Sequence, residues 1–188
     1  MVRKRRIWYP GARYHITTRG IRRSALFHDD EDRYEYLRLL QDAKTRMPFV
    51  LQAYCLMTNH IHLQIETMDD SPGKIIHRVH TLYATYFNHK YDYSGHVFEG
   101  RYGSELLDSV WYELEVNRYI HLNPIRAEIV NDLRDYEWSS YAVYAGHSSP
   151  SMISTERIFT FIPEPKVENY QQFLFAKIKD IEKYAIIE

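Results

Sequence analysis

Two histidines one residue apart, His60 and His62, lie in a stretch that alternates like a β-strand. On a strand, residues i and i+2 project to the same face. The two imidazoles therefore stand side by side, close enough to share one metal ion, while Ile61 turns to the opposite face. Spacing alone does not single out this use, because an H-x-H arises readily in a chain with ten histidines. Further on, Tyr119 and Asn123 are four residues apart in a helical pattern and so share a face, with His121 on the opposite side. A phenol oxygen at Tyr119 can act as a nucleophile, and Asn123 can offer an amide oxygen to the same site. The same spacing also suits a tyrosine packed by its ring and an asparagine closing a helix before Pro124.

These residues need a scaffold, and the pattern supplies one. Ala12–Arg19 alternates Tyr14, Ile16 and Thr18 with Arg13, His15 and Thr17, a strand signature ended by Gly20. From Asp29 to Arg46 the spacing turns helical, with Asp29 or Asp30 as cap and Tyr36, Leu37, Leu40 and Ala43 as the apolar stripe. Pro48 closes that helix. Phe49–Met57 and His60–Thr67 then read as a hairpin turning at Thr58–Asn59. The second strand carries His60, His62, Gln64 and Glu66 on one face and Ile61, Leu63 and Ile65 on the other; Gln64 extends the histidine face and reads more readily as a solvent-facing side chain than as a partner behind the ligands. Ser71–Pro72 starts a helix, which ends before Gly95. His96–Leu106 reads as a further strand with glycines at 100 and 103. Asp108 or Ser109 caps a helix expected to stop near Asn123, because Pro124 follows.

The first six elements, strand-helix-strand-strand-helix-strand, match a ferredoxin-like α+β unit: an antiparallel sheet with helices packed on it. Residues 144–165 read as connection with one short helix, and Lys166–Ile187 as a C-terminal helical extension. The expected division is a catalytic unit over 1–145 with a basic N-terminal arm, and a segment 146–188 that is not an independent domain.

Composition narrows the class. A chain of 188 residues, 45% hydrophobic and 26% charged, suits one globular domain rather than a disordered or disulfide-stapled chain. The single cysteine, Cys55, allows no intrachain bridge, so a reducing compartment is expected. No apolar run is long enough to span a bilayer, and the basic start is followed by Pro10 and Gly11 rather than by the apolar stretch of a secretory leader. The net charge of -1 hides an asymmetry: residues 1–23 carry eight of the 24 Lys and Arg and no acid, leaving a balance of -9 over the rest. A basic arm on an acidic body suits either a local polyanion partner or a solvated tail.

Taken together the motifs resemble one family. R-Y-H-I-T-T-R-G at 13–20, A-L-F at 25–27, L-M-T-N-H-I-H-L at 56–63, Y-F-N at 86–88, G-H-V-F-E-G-R-Y at 95–102, Y-I-H-L-N-P-I-R-A at 119–127 and W-S-S-Y at 138–141 are similar, in order and interval, to the His-hydrophobic-His (HUH) single-tyrosine transposases, above all their REP-associated tyrosine transposase branch. The resemblance covers roughly residues 8–145 and fades beyond. It implies that His60 and His62 bind a divalent metal with Asn123 as third ligand, and that Tyr119 attacks a DNA phosphodiester.

The chemistry accounts for these residue types. A tyrosine oxygen can displace the 3′ oxygen and hold the 5′ phosphate as a phosphotyrosine, so a later 3′-OH can reverse the step and join strands. Two neutral imidazoles and an amide leave the ion's double charge for the scissile phosphate, and such mixed ligands suit Mn²⁺ or Mg²⁺. Single-stranded or hairpin-end DNA is the expected partner, held by backbone cations and stacking aromatics. Candidate cations are Arg3, Lys4, Arg5, Arg6, Arg19, Arg22, Arg23, Lys74, Arg78, Arg101 and Arg126; Arg101 and Arg126 could equally sit in ion pairs. Trp8 and Tyr9 could stack on a base or pack on the core. A bacterial cytoplasmic location follows from the resemblance, and a homodimer is left open. Two rival readings are a non-catalytic nucleic-acid-binding regulator on the same fold and a water-using metal-dependent nuclease in which Tyr119 is structural.

Overall fold

The computed structural model describes residues 7–148 and 152–176. Arg3, Lys4, Arg5 and Arg6, and the expected C-terminal helix beyond residue 176, lie outside the described residues. Strand β1 spans Arg13–Arg19, α1 Asp30–Arg46, β2 Phe49–Met57, β3 His60–Thr67, α2 Pro72–Lys90, β4 Gly103–Leu106 and α3 Val110–Arg126. Three shorter helices follow: α4 at Tyr141–Tyr144, α5 at Glu156–Thr160 and α6 at Lys166–Phe175. The strands form one antiparallel sheet in the order β2-β3-β1-β4. That order is the ferredoxin-like split βαβ arrangement, with β3 inserted between β1 and β2.

Local chemistry explains the boundaries. Asp29 caps α1 in a reciprocal capping box with Asp32, and Asp30, Glu31 and Asp32 occupy the first turn, where the helix dipole favours negative charge. Ser71 caps α2 ahead of Pro72, and Ser109 caps α3 by accepting from the Tyr112 backbone N–H. Two expectations need correction. The region 96–106 is not a continuous strand: only Gly103–Leu106 pairs with β1, and Phe98 makes an isolated bridge to Gly20. Gly103 fits there because its missing side chain leaves room for the Thr17 hydroxyl of β1. Pro124 does not end α3, which runs on to Arg126. The last turn closes through the Ala127 N–H on the Asn123 carbonyl at 2.9 Å, a bond that needs no N–H from the proline.

The two sheet faces differ. Tyr14 and Ile16 of β1 and Ile61, Leu63 and Ile65 of β3 are buried with Tyr36, Leu40, Ile75, Val79 and Tyr83 of α1 and α2. Thr18 of that face lies 3.4 Å from His80 of α2. Helix α3 crosses the other face, where Arg13, His15, Thr17, His60, His62 and Gln64 project. Beyond α3, residues 138–141 lie along the free edge of β2: the Leu56 N–H donates to the Trp138 carbonyl and the Tyr54 N–H to Ser140 Oγ, both at 2.9 Å.

The chain after residue 146 packs back onto α3. Tyr170, Phe173 and Leu174 of α6 are fully buried in the common core. Tyr170 donates its hydroxyl hydrogen to Asn117 Oδ1 at 2.6 Å, so the same oxygen accepts from His121 Nδ1 at 2.5 Å. His121 Nε2 then accepts from Ser140 Oγ at 2.6 Å. Burial holds this imidazole neutral, its pKa pushed down to about 3. Arg157 of α5 and Arg13 of β1 both donate to the buried Glu113 carboxylate of α3.

Tyr170→Phe should lower unfolding free energy by about 1–3 kcal/mol in urea denaturation, because His121 and Asn117 each lose a partner in a dry site. An unchanged midpoint would show that this network does not hold α6 to α3.

Candidate active site at the His60 and His62 strand face

His60 and His62 project from β3 toward α3, as period-two alternation requires. Their ring centroids lie 5.0 Å apart, with the planes perpendicular. Tyr119 of α3 stands over them, its ring 5.3 Å from that of His62 and again perpendicular. Asn123, one helical turn on, donates its amide to the Tyr119 carbonyl at 2.8 Å and interacts through its side chain with His60. His60, His62 and Tyr119 thus meet on one chain at a cleft of about 660 Å³ also lined by His15, Arg101 and Arg126, and Asn123 joins them through His60.

Burial and neighbouring charge keep the imidazoles neutral. His62 is pushed down to about 3, first by desolvation and then by His15, His60 and Arg19. His60 is lowered by burial and by Arg19, against the opposing contact with Asn123. Neutral rings keep lone pairs available for a cation. His62 Nε2 is buried with no hydrogen-bond partner, an expensive condition unless something else satisfies it. Two imidazole nitrogens and an amide oxygen are a donor set that Mn²⁺ or Mg²⁺ accepts. Among the described residues, no three His, Cys, Asp or Glu side chains cluster as a metal site.

Residues 9–123 match the family described as Transposase IS200 like. The chain belongs to this transposase family. Among solved structures, a REP-associated tyrosine transposase bound to a REP hairpin is similar in fold at a TM-score of 0.67 and 16% identity, over 82% of this chain and 98% of that one. A candidate transposase from Deinococcus radiodurans R1 aligns at a TM-score of 0.42 and 15% identity, over 69% of this chain and 92% of that one. No curated protein matches the sequence.

The candidate cations of this IS200-like chain divide by position. Arg19, Arg101 and Arg126 line the cleft. The Arg126 guanidinium lies 5.3 Å from the centre of the Tyr119 ring, and Arg19 is opposite His60 in the β1–β3 register. Lys74 and Arg78 are on α2, across the sheet, where Lys74 pairs with Asp70 and Arg78 with Asp42, both at 2.9 Å. Arg22 and Arg23 follow β1, both at positive φ, and do not line the cleft. Trp8 donates its indole N–H to Thr67 Oγ1 at 3.1 Å. No described helix is long and apolar enough to cross a membrane.

Four residues that spacing does not single out stand behind the two histidines. His15 Nε2 lies 3.0 Å from His62 Nδ1, with the two ring planes only 19° from parallel. Behind it, His15 Nδ1 faces Glu105 Oε2 at 3.4 Å, and Tyr112 donates to that same oxygen at 2.9 Å. Asn59 Oδ1 faces His60 Nδ1 at 2.8 Å. The alternation in Arg13–Arg19 puts His15 on one face, but only strand pairing sets that face beside His62. Gln64 is fully buried rather than solvent-facing. Its amide donates to the Glu113 carbonyl at 3.1 Å, and its oxygen accepts from Asn117 at 3.0 Å, tying β3 to the helix that carries Tyr119.

Gln64→Leu should therefore cost about 1–3 kcal/mol in urea unfolding, since polar partners on α3 are left unpaired. A variant as stable as the parent would remove Gln64 from the attachment of α3.

Proposed function

We propose that this protein cleaves and rejoins single-stranded DNA at hairpin ends by transposase chemistry, with Tyr119 as the nucleophile. The observation carrying this reading is the convergence of His60, His62 and Tyr119 on one cleft, with Asn123 against His60 and a buried His62 nitrogen with no partner. The fold's likeness to a REP-associated tyrosine transposase bound to a REP hairpin supports hairpin DNA as the substrate class.

Tyr119 Oη attacks the phosphorus of the scissile phosphodiester. The bond from phosphorus to the 3′ oxygen breaks, the 3′ oxygen leaves as a hydroxyl with, in net terms, the proton that the Tyr119 hydroxyl gives up, and the 5′ phosphate stays on the tyrosine. His60, His62 and Asn123 would hold a divalent ion, Mn²⁺ or Mg²⁺, which when bound would supply positive charge to polarise the phosphate. Arg126, beside the Tyr119 ring, offers positive charge where the phosphate and attacking oxygen gather negative charge. Arg19 and Arg101 at the cleft take backbone phosphates, joined by the basic arm. The single Cys55 is buried and unpaired, which fits work in a reducing bacterial cytoplasm.

The test is a denaturing gel with labelled hairpin oligonucleotides from the flanks of the gene, in Mn²⁺. The wild type should give cleavage and a covalent adduct. Tyr119→Phe should lose both, and the adduct peptide should map to Tyr119. An adduct on another tyrosine overturns the assignment, and cleavage by Tyr119→Phe without an adduct establishes water as the nucleophile.

The metal reading has its own check. His60→Ala and His62→Ala should cut cleavage by more than the roughly 10–100-fold typical of losing an outer partner of a ligand. Most DNA affinity should remain, because cations supply it, and a chelator should reproduce the effect. Wild-type cleavage rates in both variants would refute the metal role.

A further inference from the structure

We propose that Asn59 and the pair Glu105–His15 are positioning residues that lock His60 and His62 in the tautomer with hydrogen on Nδ1, so that both Nε2 lone pairs are free for the cleft. The inference rests on reading the two histidines as metal ligands, because that role requires a bare ring nitrogen.

Asn59 donates its amide nitrogen to the Arg23 carbonyl at 3.2 Å, which orients its oxygen toward His60 Nδ1 at 2.8 Å. An amide oxygen only accepts, so the hydrogen on that line belongs to His60, at 2.8 Å and in competition with the Asn123 side chain, which also favours a ring hydrogen.

His62 is set through two links. A single hydrogen fits on the 3.0 Å line between His62 Nδ1 and His15 Nε2, and either ring could supply it. The far edge of His15 decides. There Nδ1 faces the Glu105 carboxylate at 3.4 Å, and a carboxylate only accepts, so His15 carries its hydrogen on Nδ1. His15 is buried, only 6% exposed, which disfavours a second hydrogen on the ring. Its Nε2 is then a lone pair, and the hydrogen between the rings must come from His62. Glu105 is held in place twice: the β1–β4 register sets it opposite His15, and the Tyr112 hydroxyl donates to the same carboxylate oxygen. Tyr112 lies two helical turns before Tyr119, so the helix carrying the proposed nucleophile also braces the relay.

The test uses full-length, metal-free protein with ¹⁵N-labelled histidine and long-range ¹H–¹⁵N correlation to read each tautomer. In the wild type, His60 and His62 should both be bare at Nε2. Glu105→Ala, at an exposed side chain on an edge strand, and His15→Leu should move His62 toward hydrogen on Nε2 and leave His60 unchanged. His15→Gln should restore the original tautomer, since its amide oxygen can accept from His62 Nδ1. Mn²⁺ affinity, read by electron paramagnetic resonance, should fall by roughly 10–100-fold in His15→Leu and recover in His15→Gln. A wild-type His62 protonated on Nε2, or a His62 tautomer unmoved by both Glu105→Ala and His15→Leu, would overturn the relay. Wild-type protein that takes up no Mn²⁺ would refute the metal reading instead, and the tautomer spectra would still decide the relay.

Discussion

The register between the two central strands is the constraint from which the site follows. Thr17 pairs with His62 and Arg19 with His60, in a ladder running from Arg13 opposite Glu66 to the end of β1. Side chains alternate with period two, so a slip of one residue would turn both histidines into the apolar layer under α1 and α2 and bring Ile61 and Leu63 to the cleft. The apolar face prevents that slip: Ile61, Leu63 and Ile65 are almost completely buried, and exposing three such side chains would cost several times about 1.5–3 kcal/mol. Hydrophobic burial on one face thus fixes the imidazoles on the other.

The second requirement is that α3 be held firmly across that polar face, and polar contacts do this as much as apolar ones. Gln64, Asn117, Tyr144, Tyr170 and His121 form a buried chain of hydrogen bonds from β3 through α3 to α6. Glu113 adds a carboxylate clasped by Arg13 and Arg157. Such networks are unfavourable unless every member is satisfied, and for that reason they admit few alternative packings. The segment after residue 146 therefore bears on the site without touching it, because its tyrosine completes the network that seats the helix of Tyr119.

The electrostatics follow from the same layering. Histidines pressed between sheet and helix lose solvent and stay neutral, while Arg19, Arg101 and Arg126 stay at the cleft. Neutral donors inside and fixed cations around them are what the proposed uptake of a cation and a phosphate together would require.

Much of this was legible in the order of the residues. Alternation placed His60 and His62 on one face, the four-residue spacing paired Tyr119 with Asn123, and caps at Asp29, Ser71 and Ser109 marked the helix starts, because each is a local matter of backbone period or of an unpaired N–H. The run of motifs identified the family, and with it the sheet. What local pattern could not carry were contacts between segments far apart in the chain. His15 meets His62 across 47 residues, Gln64 meets Asn117 across 53, and His15 meets Glu105 across 90. Gln64 alternated like a surface residue and became buried only because α3 lies over it. Pro124 looked like a stop, yet the helix had one turn left that did not need the missing N–H. Sequence period decides which way a side chain points, whereas only the packing of strand on strand and helix on sheet decides what it meets there.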